Sequence, residues 1–232
     1  DSGWDGNGSV QEDFMNKIPS PDVLFPNEYG TSCFLKNVIT ATNITVGDYT
    51  YYDDPVDPAA FERNNVLFNW PEFGDHLSIG KFCSIASGVR FVMGSANHRL
   101  SSVSTYPFSV FGGLWAQRTP LHLSQLPFKG DTVVGNDEWL GRECVIMPGI
   151  HIGDGAIVAA YSVVTRDVEP YAVVGGNPAR FIKKRFSQEL TGLLLRLRWW
   201  DFPPEKLADF LPVLCDENLE EAADIIRRML DA

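Results

Sequence analysis

An aliphatic residue stands at every sixth position through Val134, Leu140, Ile146, Ile152, Val158 and Val164. The same interval joins Ile79 and Ile85 to Phe91, and a glycine follows at Gly80, Gly135, Gly141 and Gly153. Helices repeat at about 3.6 residues and strands at about 2, so neither explains the beat. A solenoid does, with each six-residue unit forming one short flat face of a coil. Within these units the fifth position is mostly small or β-branched: Cys83, Val89, Cys144, Ile150, Ala156, Ser162 and Val168. That suits a narrow interior where three faces converge. Glu138 breaks the rule, since an inward carboxylate is costly unless it is paired or protonated. A distorted first repeat or a partner at the coil edge is expected there.

The interruptions divide the chain. Residues 1–37 have no period and carry Pro19, Pro21 and Pro26, which predicts an extended arm with at most one short helix. Residues 38–186 form the coil domain, broken by insertions at 53–76 and 93–132. The second insertion is rich in aromatics, including Tyr106, Phe108, Phe111 and Trp115. Loops of that length in a compact domain are usually functional. From 187 to 232 the spacing turns helical. Leu190, Leu193, Leu194 and Leu197 share one face, Ser187 is a candidate N-cap, and two more helices are expected after Pro204 and over Leu219–Leu230.

The formal net charge of −11 argues against nucleic-acid binding through a general basic field. No stretch has the run of about 20 apolar residues that a membrane span needs. Residues 1–10 are too polar for a secretory leader, so a cytoplasmic location is expected. Cys33, Cys83, Cys144 and Cys215 show no metal-ligand spacing, and buried free thiols are expected. No metal is expected.

Several segments together resemble one family. They are Gly80-Lys81-Phe82-Cys83-Ser84-Ile85, Asn97-His98-Arg99, Ser104-Thr105-Tyr106-Pro107-Phe108, Gly130-Asp131-Thr132, Gly135-Asn136-Asp137, Ile146-Met147-Pro148-Gly149, Gly175-Gly176-Asn177-Pro178-Ala179 and Trp199-Trp200. Over roughly residues 40–205 the chain resembles the hexapeptide-repeat xenobiotic O-acetyltransferases, above all those acting on streptogramin A (virginiamycin) antibiotics. The resemblance implies a left-handed parallel β-helix with a long inserted loop and a C-terminal helical segment. It implies a homotrimer with each active site between neighbouring subunits. It also implies direct transfer from acetyl-CoA to an acceptor hydroxyl, with His98 as general base, a task suited to a neutral imidazole.

By the same resemblance Tyr51, Trp70 and Trp139 approach the acceptor, and Pro120 and Leu126 join them from the loop. Gly141, Ala159 and Ala160 fall on turns small enough to admit the pantetheine arm of acetyl-CoA. Arg180 and Lys183, in a basic cluster with Lys184 and Arg185, are candidates for its phosphates. His76 and His151 read as solvated, and His122 could line the pocket. Two other readings stay open: the same chemistry on chloramphenicol or another xenobiotic hydroxyl, and a non-catalytic hexapeptide scaffold.

Overall fold

A computed structural model describes residues 18–120 and 126–231. Strand β1 (Ser32–Phe34) leads into the first coil, made of β2 (Ile44–Val46), β3 (Tyr51–Asp53), a short helix α1 (Phe61–Asn65) and β4 (Val66–Leu67). The second coil is β5 (Leu77–Ile79), β6 (Ser84–Ile85) and β7 (Arg90–Val92). The long loop follows and contains helix α2 (Gly113–Arg118). The third coil is β8 (Thr132–Val134), β9 (Trp139–Leu140) and β10 (Val145–Ile146), and the fourth is β11 (His151–Ile152), β12 (Ile157–Val158) and β13 (Val163–Val164). A last partial turn places Val168 beside Ile152 and then forms β14 (Ala172–Gly175), on which β15 (Arg180–Lys184) folds back.

Successive strands of a coil enter three different sheets, and equivalent strands of neighbouring coils pair in parallel. This is a parallel β-helix. The six-residue beat becomes three stacked rows. The first face holds Val46, Ile79, Val134 and Ile152 in register. The second holds Tyr52, Ile85, Leu140, Val158 and Val174. The third holds Val66, Phe91, Ile146 and Val164. All but half-buried Val46 are buried. Burying a side chain of this size stabilises by about 1.5–3 kcal/mol, so the rows form the spine of the molecule.

Two expectations need correction. Residues 53–76 do not lie wholly outside the repeat, because Val66 and Leu67 return to the third face and pair with β7. Val66 follows Tyr52 by fourteen residues rather than six. The extra chain bulges out through Pro55, Pro58 and α1 before re-entering the coil. The arm also does more than extend: β1 pairs antiparallel with β3 and closes one edge of the second face. Strand β15 pairs antiparallel with β14 at the opposite edge, so the coil strands β3 and β14 are both covered.

The corners explain the glycines. A Cβ at Gly80 would lie 2.3 Å from the Gly135 carbonyl oxygen, since successive coils nearly touch there. Between the first and second faces the chain turns through left-handed residues at Tyr49, Phe82, Asp137, Gly155 and Tyr171. For non-glycine residues this costs about 1–2 kcal/mol each. Stacking offsets part of it: Tyr49 lies on Phe82 at 4.9 Å between ring centroids, and the Arg185 guanidinium covers Tyr171 at 5.4 Å.

Glu138 does point inward, and the repeat around it is undistorted, with Trp139 and Leu140 in register on both sides. Its Oε1 accepts a hydrogen bond from the Gly135 N–H at 2.7 Å. Its Oε2 has no partner, and burial pushes its pKa well above the carboxylate range. The shift favours the uncharged acid, the form a buried coil interior tolerates best. Cys33, Cys83 and Cys144 are buried free thiols, and burial pushes Cys144 up to about 12.

Three helices cover the corner ridge of the coil: α3 (Gln188–Leu197), α4 (Pro204–Leu214) and α5 (Leu219–Asp231). Ser187 caps α3 by accepting the Leu190 N–H at 3.2 Å. The four leucines of α3 pack with Phe210 and Ile226 around Tyr171. Arg185 fastens this layer to the coil. It donates to the Gly155 carbonyl at 2.6 Å and pairs with Asp137 at 3.5 Å.

Candidate active site

The long loop leaves the coil at buried Met93. Its first turn is anchored by Asp75, whose Oδ2 accepts the Gly94 N–H at 2.6 Å. Asn97 then ties the two ends of the loop together. Its Nδ2 donates to the Gly94 carbonyl at 2.9 Å and to the Pro127 carbonyl at 3.3 Å.

His98 follows, exposed, with Nδ1 at 2.8 Å from the Thr105 carbonyl oxygen. A carbonyl only accepts, so the neutral ring must carry its proton on Nδ1. Nε2 is left as a lone-pair acceptor. The backbone thus fixes both the orientation and the tautomer of the imidazole, as a proton-accepting role requires.

His98 borders a cleft of about 340 Å³. Trp70, Pro120 and Leu126 line the same cleft, so four of the expected site residues meet in one chain. Tyr106 and Pro107 add apolar wall, and Ser104 and Thr105 add polar atoms. Behind the wall Tyr106 stacks on Phe111 at 5.4 Å, and Phe108 meets Trp115 edge-on at 5.5 Å. An apolar concavity with a few convergent polar groups is the usual form of a small-molecule site.

The other expected residues lie elsewhere. Tyr51 and Trp139 do not line the cleft. They sit on the outside of the second face, in one row across the strands: Tyr51, Ser84, Trp139, Ile157, Val173 and Lys183. Gly141, Ala159 and Ala160 meet where the second face turns into the third. A Cβ on Gly141 would fall 2.6 Å from the Ala160 nitrogen. Arg180 and Lys183 are exposed on β15 at the far end of that face. The chain therefore carries two separate surfaces, a histidine cleft and a flat aromatic-to-basic row.

Relatives decide what this arrangement belongs to. The family model described as bacterial transferase hexapeptide (six repeats) matches residues 131–166. A probable macrolide acetyltransferase of Lysinibacillus sphaericus is 54% identical over 159 residues, covering 68% of this chain and 88% of that protein. A virginiamycin A acetyltransferase of Staphylococcus aureus is 45% identical over 203 residues, covering 87% and 91%. A chloramphenicol acetyltransferase of Agrobacterium fabrum is 42% identical over 186 residues, covering 80% and 88%. This chain belongs to the hexapeptide-repeat xenobiotic acetyltransferases.

Within that acetyltransferase framework the other histidines separate from His98. His76 is exposed, with its Nδ1 3.4 Å from Asp131. His151 is exposed on β11. His122 lies outside the described residues. Among the described residues no three histidine, cysteine or acidic side chains gather as a metal site, and no helix is long and apolar enough to cross a membrane. Two partners of the site were not singled out from sequence. The Thr105 carbonyl belongs to the backbone and has no side-chain signature. Asn97 stood inside the Asn97-His98-Arg99 motif, but its link to Pro127 spans thirty residues.

Proposed function

We propose that this protein is an acetyl-CoA-dependent O-acetyltransferase that inactivates streptogramin A antibiotics, with His98 as general base. The observation that carries the reading is the Nδ1 contact of His98 with the Thr105 carbonyl, which leaves Nε2 free to take the proton of an acceptor hydroxyl. The hydroxyl oxygen bonds to the thioester carbon as the C–S bond breaks, and the proton held on Nε2 passes to the departing sulfur. No covalent acyl-enzyme is formed.

The functional unit in this reading is a homotrimer of left-handed β-helices in the cytoplasm. The loop of one subunit meets the outer second face of the next. Exposed Val110, Phe111 and Trp115 on the loop, and exposed Trp139 on the face, are the apolar surface that such a contact covers. It brings Tyr51 and Trp139 to the cleft that already holds Trp70, Pro120 and Leu126. The pantetheine arm lies along the small corner at Gly141, Ala159 and Ala160, and the phosphates meet Arg180 and Lys183. The small side chains of Ala159 and Ala160 support a close approach of the arm there.

Chloramphenicol is the second reading, favoured by relatives of that name at 42–43% identity. The relative named for macrolides adds a third acceptor class, which shares a large lactone ring with streptogramin A. Transfer of radiolabelled acetyl from acetyl-CoA to all three drugs tests the choice. Labelling of streptogramin A is expected, and transfer to chloramphenicol alone would reject it. Sedimentation should give the mass of three chains, and a single-chain mass would remove the shared site.

A further inference from the structure

Ser84 stands midway between the two aromatic residues of the outer row. Its register partners are Tyr51 on one side and Trp139 on the other. Side chains alternate along a strand, so Ser84 faces out while the next residue, Ile85, faces in and is fully buried. Neighbouring strands lie about 4.8 Å apart, which separates the Tyr51 and Trp139 backbones by about 10 Å. One short side chain between two large ones leaves a notch with aromatic walls. Ser84 supplies its floor.

The floor is polar and unspent. Among the described residues the Ser84 hydroxyl has no hydrogen-bond partner, while its backbone N–H is used by the Glu138 carbonyl. The first face offers a contrast. There the outward hydroxyls of Thr45 and Ser78 are register neighbours and bond each other at 3.3 Å. Ser84 has no aliphatic hydroxyl neighbour, because its register partners are Tyr51 and Trp139. On the far side of Trp139 the row continues with Ile157, so Ser84 is also the one aliphatic hydroxyl of the row.

We propose that Ser84 is a specificity-determining contact, its hydroxyl donating a hydrogen bond to a carbonyl oxygen of an acceptor seated between Tyr51 and Trp139. The proposal rests on the acetyltransferase reading and deepens it. It separates acceptors by chemistry. A flat or macrocyclic acceptor with a carbonyl on its buried side gains from Ser84, and one without such a group does not. A site built to bond a polar group discriminates more sharply than an apolar one.

The test is steady-state kinetics of the intact enzyme with streptogramin A as acceptor. Ser84→Ala should raise the acceptor KM about five- to tenfold, the loss of one hydrogen bond, with kcat and the acetyl-CoA KM within about twofold. Ser84→Thr, which keeps the hydroxyl, should restore most of the affinity. Ser84→Leu should fill the notch and raise the acceptor KM more than about 30-fold with Tm unchanged. An acceptor KM that stays put in Ser84→Ala overturns the proposal, whatever Ser84→Leu does. If Trp139→Ala still raises that KM, the acceptor face stands and only Ser84 is excluded. A parallel rise in the acetyl-CoA KM in Ser84→Ala also overturns it, because the effect would then be structural. Absence of transfer by the unaltered enzyme to any drug would instead mark failure of the enzyme reading.

Discussion

In the coil every inward side chain stacks on its counterpart one turn away, as Ile85 does on Leu140 and Leu140 on Val158. In the loop between β7 and β8 the large apolar side chains point outward: Val103, Val110, Phe111, Leu114 and Trp115 are all exposed. The coil is held by many repeated contacts. The loop is held by a few polar ties, Asn97 to Pro127 and His98 to Thr105 among them. Stability therefore resides in the coil, and the proposed chemistry resides in the loop. A scaffold of repeated contacts carries a loosely tied segment in which the His98 ring is held by a backbone carbonyl, the usual division between scaffold and binding loop.

Substitutions that touch one region and spare the other test this division. The largest effect is expected at His98. His98→Ala should lower kcat by about 10²–10⁴-fold while the thermal midpoint stays that of the parent. A parallel loss of Tm would mean that the loop helps hold the fold. The reverse pattern is expected at Ile146, fully buried in the third row. Ile146→Ala should cost about 2–5 kcal/mol in denaturant unfolding, with kcat retained well below the melting range. Asn97→Ala should release the loop ends and lower kcat roughly tenfold, with stability changed by only about 1 kcal/mol. Equal turnover in that variant would show that the tie does not position His98.

Two smaller effects sharpen the coil side. Burial raises the pKa of Glu138 well above the ordinary value of 4.5 in the folded state. The folded chain therefore keeps a proton that the unfolded chain releases above that value. The contribution of Glu138 to stability is greatest below pH 4.5 and declines as pH rises. Glu138→Gln removes the titration and keeps the Oε1 acceptor for Gly135. Its Tm relative to the parent should rise as pH climbs above 4.5, and a pH-independent difference would contradict the assignment. Least of all, Ser187→Ala should cost about 1 kcal/mol of stability through the lost helix cap and leave turnover unchanged.

The rows of the coil were legible because the period of six survives wherever no chain is inserted. The glycines were legible for the same reason, and the Gly80–Gly135 approach explains why nothing larger fits. Strand β4 was hidden because eight surplus residues put Val66 out of step with Tyr52. Strand β1 was hidden because three residues are too few to show an alternation. His98 stood out through its neighbours in sequence, yet its orientation depends on a backbone carbonyl seven residues away. The single row from Tyr51 to Lys183 could not be drawn from sequence, because it needs the register of strands separated by two insertions. Glu138 shows the same limit. The sequence marks it as an anomaly, and only the structure shows the full burial that raises its pKa.

The fixed tautomer of His98 is the point on which the chemistry turns, and ¹⁵N NMR of the labelled imidazole near neutral pH reads it directly. The structure predicts a protonated Nδ1 and an unprotonated Nε2 in the neutral ring. A neutral His98 carrying its proton on Nε2 would contradict the account, because no lone pair would then face the acceptor hydroxyl.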